Sequence, residues 1–359
     1  MRILYLEPFE AGSHRTFSRT LMGALDAHWT PLTLPGRHWK WRMRGSAAYF
    51  ATANAEALAA GHDVVLASSY VPLAELVGLA PALNSVPRVL YFHENQLAFP
   101  TQGPGQPRDY HFGFTQLVSA LAADRCAFNS VHNRDSFLDA ADDLLRRLPD
   151  AVPPNWVDTI RARSVVLPLP LPLTDAPVAA ARAHEDGPLL LWNHRWEHDK
   201  NPGTCLRALA KLSAAGRRFR VAVCGQQFKR QPDVFAELEP ALSRHVVQWG
   251  EASPERYAAL LGEADVVMST AHHEFFGVSV VEAVHHGARP LVPDRLAYRE
   301  LWPEAFRYRD DDAFVTALDA LLTGNETLRA DRRPLTDPYR ADAVAPRYRA
   351  LFEAVLAER

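Results

Sequence analysis

Short apolar runs recur along the chain with helical stretches between them: ILYL near residue 4, VVLAS near 65, RVLYF near 90 and CAFNS near 127. Such runs, spaced in this way, predict parallel α/β packing. The segment from Val165 to Pro177 alternates proline with leucine, so it continues neither a helix nor a central strand and is read as the end of a first domain. A second series follows, with LLLWNHRW at Leu189, then RVAVCGQQ, HVVQWGEAS, DVVMST and RPLVPD, and it predicts a second α/β domain of similar build. Residues 139–160 read as a helix and an irregular insertion, and the run from Ala341 onward has the apolar periodicity of a terminal helix. The expected organisation is a domain over 1–173, a second over 174–335, and a C-terminal helix within 336–359 that packs back on the first. Two Rossmann-like doubly wound domains facing a central cleft would gather the loops at their C-terminal strand ends, where the chemistry-bearing residues cluster.

Composition changes little in this picture but excludes several classes. The 359 residues suffice for two cores, and 48% hydrophobic with 23% charged residues is the balance of a soluble globular protein. No apolar run reaches membrane-span length and MRILYLEPFE starts directly as a strand, so neither a membrane nor a secretory signal is expected. Cys126, Cys205 and Cys224 are widely spaced in apolar segments, which suggests neither a disulfide framework nor a zinc site and fits a reducing cytoplasm. A net charge of −3 argues against a surface coated in positive charge while leaving room for a local basic patch.

The most informative chemistry lies between Thr270 and Pro293, where Glu274 falls in the loop after a strand and Glu282 in the second turn of the following helix. The backbone donors at that helix start, around Phe276, Gly277, Val278 and Ser279, suit a diphosphate, and the glycine permits close approach. One carboxylate can then hold sugar hydroxyls and the other a ribose diol; the bland alternative is a helix with two solvated glutamates. After the strand LLLWN, Arg195 and Lys200 can neutralise a diphosphate leaving group, although such a pair is also common at a wet helix start. Asn201-Pro202 fits the beginning of that helix. Gly12, Ser13 and His14 form a first strand-to-helix turn that either aims a helix start at phosphate or is simply capped by Ser13. Gly225 and Gln226, with Trp249 and Gly250, follow strands and are candidates for lining a base pocket. The run Asp310-Asp311-Asp312 is either a divalent-metal pair or a solvated loop, and the loop is preferred.

Between Gly36 and Ser46, Arg37, Lys40, Arg42 and Arg44 alternate with Trp39 and Trp41 and meet no acid. Basic side chains that grip phosphate beside indoles that stack on unpaired bases would suit an RNA loop. The tryptophans could equally be core residues with the arginines as a solvated rim.

With R-x4-K followed by E-x7-E in a second α/β domain, the chain resembles the retaining GT-B glycosyltransferases of family GT4. The segments EPFEAGSHRTF, LPGRHWKWRMRGSA, YFHENQLAFP, RDYHFGFTQL, FNSVHNRDSF, HRWEHDKNP and HEFFGVSVVEAVHHGARPL narrow the resemblance to the tRNA-queuosine mannosyltransferase family, over most of the chain. That family tends to carry Gly-Gly where Ala11-Gly12 stands here. The resemblance implies a retaining hexosyltransferase that moves mannose from GDP-mannose to queuosine in the tRNA anticodon loop, with no metal required and no protein partner. It places His93 beside the transferred sugar, with Glu274, Arg195 and Lys200 completing the catalytic set and Glu282 on the ribose. Two other readings remain: the same enzyme type with another donor or a glycan, lipid or small-molecule acceptor, and an RNA-binding protein on an inactive scaffold.

Overall fold

The computed structural model describes residues 1–100, 109–175, 178, 185–228, 231–324 and 326–358; Arg108, Ala176 and Pro177, at the edges of segments discussed above, lie outside them. The chain forms two compact units, Met1–Pro172 with Tyr339–Arg359, and Leu173–Pro338.

In the first unit six parallel strands, β1 (Arg2–Glu10), β2 (His28–Pro35), β3 (Val64–Ser68), β4 (Arg88–Phe92), β5 (Arg125–Phe128) and β6 (Ser164–Val166), lie in the order β2-β1-β3-β4-β5-β6. The central strands are buried throughout except at Arg88, which opens β4, because helices cover both faces, and this is why their sequences run apolar without alternation. Leu90, Phe92 and Phe128 pack with Leu117 and Phe137 from those helices. The proline-leucine stretch follows β6 at the sheet edge, where missing backbone donors cost least. Over 139–160, read as a helix and an irregular insertion, the helix is Val131–Leu145, and the far end of the expected insertion forms a second helix, Trp156–Arg163. The helix Ala341–Ala357 buries Tyr348 against Phe17 and Tyr91 of this unit.

The second unit holds β7 (Leu189–Asn193), β8 (Arg220–Cys224), β9 (Val246–Gly250), β10 (Val266–Met268), β11 (Arg289–Pro293) and β12 (Arg307–Tyr308), in the order β12-β11-β10-β7-β8-β9. Its ladders are also parallel. The acidic run is exposed, as expected, but it is a helix start rather than a loop. Asp310 caps the helix Asp311–Thr323 by accepting from the Ala313 N–H, and Asp311 accepts from the Thr204 hydroxyl at 2.7 Å. Carboxylates at a helix N-terminus complement its dipole, which accounts for their clustering.

Strand order reverses between β1 and β3 in one sheet and between β7 and β10 in the other. In open parallel sheets the crevice at such a reversal, beyond the carboxyl ends of the strands, is where ligands bind.

Candidate active site

At the reversal in the second unit, the loop after β7 carries Arg195 and Lys200 and the loop after β10 carries Glu274. Backbone bonds stitch the two loops together: the Asp199 carbonyl accepts from the N–H groups of His272 and His273, and the Thr270 hydroxyl donates to the carbonyls of Lys200 and Asn201. Pro202 opens the next helix, as the sequence suggested, and Asn201 before it takes a left-handed conformation. Lys200 is buried, and its ammonium lies 3.2 Å from Glu274 Oε2, 3.1 Å from Asp199 and 2.9 Å from the His273 carbonyl. Burial would raise the Glu274 carboxyl, but the Lys200 charge, helped by His194, outweighs it and holds the group at about 2. Burial likewise opposes the ammonium, and Glu274 and Asp199 together lift Lys200 above the ordinary lysine value. His194 beneath them is brought down to about 4 by burial and then by Lys200, so it stays neutral. Arg195 is half exposed and pairs with Glu197 at 3.0 Å. The two cations read together from the sequence thus differ in setting: Lys200 is buried against Glu274, and Arg195 is half exposed beside Glu197.

Glu274 also accepts from the Phe276 N–H at 3.4 Å, which ties that amide to the protein itself. The helix Val278–His285 starts from Gly277, whose φ of +91° suits glycine, and a Cβ there would come within 2.8 Å of the Tyr298 ring. With no side-chain cap at Gly277, the first-turn amides of Val278 and Ser279 are open to an anion. One turn on, Glu282 accepts from the Tyr257 hydroxyl at 2.8 Å, and Tyr257 accepts in turn from the Asn193 amide at 3.1 Å. Burial raises the Glu282 carboxyl, and the Tyr257 hydrogen bond works against that rise.

Asn193–Arg195, Cys224–Gln226, Glu251, Ala252 and Tyr257 line a pocket of about 270 Å³. Gly225 is required there, because a Cβ would lie 1.9 Å from the His194 carbonyl where the loops after β7 and β8 converge. Gly225 and Gln226 therefore stand where a base pocket was expected. Trp249 does not: its indole packs edge-on against Trp196 and Phe235 in the core, while the Gly250 carbonyl braces the Gly225 amide.

At the reversal in the first unit, β1 delivers Glu7, the helix Gly12–Ala24 delivers His14, and the end of β4 delivers His93. Ala11 precedes that helix without a side-chain cap, so Ser13 is not the cap. Glu7 is fully buried; its Oε1 accepts from the Phe9 N–H and its Oε2 meets His14 Nδ1 at 2.9 Å. The His14 and His93 rings stack at 4.0 Å, and His93 Nε2 lies 3.9 Å from the same carboxylate oxygen. Among the described residues, neither ring nitrogen of His93 has a hydrogen-bond partner. Burial first, and His14 second, keep His93 well below the ordinary histidine value, hence neutral. The donor atoms of the three residues fall within 4.8 Å of one another, a spacing that could receive a cation. The rings are only 26° from parallel, however, so one ion cannot lie in the plane of both imidazoles, as good ligation requires.

The basic segment forms the start of the helix Trp39–Ala53. Arg37, Lys40, Trp41 and Arg44 are exposed, Trp41 at 64%. Trp39 turns inward against Tyr70 and Phe112, as the core reading of the tryptophans expects, and Arg42 is half-buried. Arg44 lies over the Phe112 ring and 3.9 Å from Asp109, an acid the sequence window did not contain.

Residues 2–171 match the profile described as tRNA-queuosine alpha-mannosyltransferase N-terminal, and residues 178–332 match glycosyl transferases group 1. A tRNA-queuosine alpha-mannosyltransferase from Drosophila melanogaster is 34% identical, the alignment covering 99% of this chain and 97% of that protein. The chain belongs to the tRNA-queuosine alpha-mannosyltransferase family. Its architecture is shared with GT-B glycosyltransferases, among them sucrose-phosphate synthase from Thermosynechococcus elongatus (TM-score 0.72, 13% identity, all of both chains covered). A lipopolysaccharide outer core galactosyltransferase in its apo form is also similar (TM-score 0.66, 10% identity, 99% of this chain and 100% of the other). A 2-deoxystreptamine glucosyltransferase from Streptomyces kanamyceticus is 29% identical over 42% of this chain and 36% of its own length.

For a member of this family, each unit holds residues that the sequence pattern did not single out: Glu7 in the first, and Asn193, Asp199 and Tyr257 in the second. Glu7 had a signal, since a carboxylate inside the apolar strand RILYLEPFE is buried by position and must be paired. Tyr257 had none, because its partner Glu282 comes from a different helix.

Proposed function

We propose that this protein transfers mannose from GDP-mannose, with retention, to a hydroxyl of queuosine in the tRNA anticodon loop, working in the cytoplasm. The observation that carries the donor half is the Lys200–Glu274 pair beside an uncapped helix start, with Glu282 one turn further on. Arg195 and the amides of Val278 and Ser279 receive the diphosphate, the Tyr257-held Glu282 takes the ribose diol, and the pocket at Gly225 and Gln226 takes the base. Glu274, kept ionised by Lys200, orients sugar hydroxyls. His93, neutral and with unused nitrogens, steadies the transferred sugar as the family resemblance implies. With no carboxylate assigned as a covalent nucleophile, the acceptor hydroxyl attacks from the face the diphosphate leaves, and a departing phosphate oxygen takes its proton. No metal enters this scheme. No helix among the described residues is long and apolar enough to cross a membrane.

The acceptor half rests on family membership and on the exposed basic face of the helix Trp39–Ala53. Neutralising Arg37, Lys40 and Arg44 together tests it through tRNA affinity at several salt concentrations. The expected result is weaker tRNA binding with a shallower salt dependence, by about one unit of slope for each phosphate no longer neutralised, and unchanged GDP affinity. Unchanged binding and transfer would assign the acceptor to a different surface, or to a different class of molecule.

A further inference from the structure

Glu94 follows His93 at the C-terminal end of β4 and is a half-buried carboxylate. Its Oε1 accepts from the Tyr70 hydroxyl and, at 3.3 Å, from the Gln96 side-chain amide. Both donors are neutral, and among the described residues no cation pairs with Glu94. The tyrosine that holds it sits in a row of rings. Tyr70 is 5.2 Å from His14, which stacks on His93, and 6.3 Å from Trp39 at the start of the basic helix. The tyrosine that holds the carboxylate thus stands between the histidine pair at the reversal of the sheet and the helix read as the RNA-binding face.

A fixed, partly desolvated negative charge with no cation is costly, and beside a surface for a polyanion it repels the ligand unless the ligand brings a positive charge there. Phosphates, bases and ribose supply none at neutral pH. Queuosine does: a secondary amine, protonated at neutral pH, links its deazaguanine to the cyclopentenediol. We propose that Glu94 reads the acceptor by pairing its carboxylate with that ammonium, while Tyr70 and Gln96 are positioning residues that hold the carboxylate. The inference rests on the acceptor reading above and adds to it the group that distinguishes queuosine from an unmodified guanosine.

The test removes the charge from each side separately. Transfer is measured for the wild-type protein and for Glu94→Gln on queuosine-containing tRNA, and on the same tRNA after acetylation has made the amine a neutral amide. Glu94→Gln keeps the size of the side chain and an oxygen for Tyr70, and GDP affinity by calorimetry reports whether the variant is folded. Wild type should lose about 30-fold or more in kcat/KM on acetylation, mainly through KM. Glu94→Gln should start near the reduced value and treat both tRNAs alike, and Glu94→Asp should recover part of the discrimination. If folded Glu94→Gln discriminates as strongly as wild type, or wild type ignores acetylation, the pairing is wrong while the acceptor reading stands. If wild type leaves queuosine tRNA unmodified, the acceptor reading falls and takes this inference with it.

Discussion

Lys200 and Glu274 lie 74 residues apart in the chain, and their pairing decides what each can do. The sequence pattern marked both but set Lys200 on the diphosphate with Arg195; in the fold its ammonium is shared among Glu274, Asp199 and the His273 carbonyl. No spacing rule reveals such a pairing, because it depends on which strands become neighbours. Its energetic consequence is specific. A carboxyl whose folded pKa is about 2, against an ordinary 4.5, contributes stability that is present above pH 4.5 and is lost as pH falls toward 2. Lys200→Met should therefore cost about 3 kcal/mol at pH 7, because it leaves Glu274 buried without its cation, and should remove that acid-side loss. Urea unfolding of both proteins from pH 7 down to pH 3 measures this. Equal stability at pH 7 would show that the pair carries no such weight.

The helix Trp39–Ala53 shows how far composition carries at the level of an element. Alternating aromatic and basic residues were legible as unusual, but which tryptophan faces the core depends on helical phase: Trp39 lies against Tyr70 and Phe112, and Trp41 projects into solvent over Gly45. The two positions should separate in experiment. Trp39→Ala should lower stability by about 2 kcal/mol or more through the void it leaves. Trp41→Ala should change stability by no more than about 0.5 kcal/mol and yet weaken tRNA binding by roughly 1–3 kcal/mol, the worth of one stacked base. Thermal unfolding and tRNA titration on the same preparations check both. Loss of tRNA affinity in neither variant would remove the indoles from the interface. The acidic run at Asp310 teaches the converse lesson, since three adjacent carboxylates become intelligible once a helix is seen to begin there.

For the molecule as a whole, the apolar runs and the proline-leucine stretch foreshadowed two α/β units, since parallel strands buried on both faces leave little freedom for polar residues. Strand order could not be read in the same way, because nothing local in β1 or β7 says which later strand will lie beside it. That order decides which polar side chains meet: at one reversal Glu7, His14 and His93 come together, and at the other Lys200 and Glu274. Family membership then joins these constellations to a reaction. The most direct test incubates the purified protein with queuosine-containing tRNA and, separately, GDP-mannose, GDP-fucose, UDP-glucose, UDP-galactose and ADP-glucose, then weighs the nucleosides released by digestion. The expected result is a gain of one hexose on queuosine with GDP-mannose alone. A gain from a uridine or adenosine donor, or none on queuosine with any donor, would contradict it.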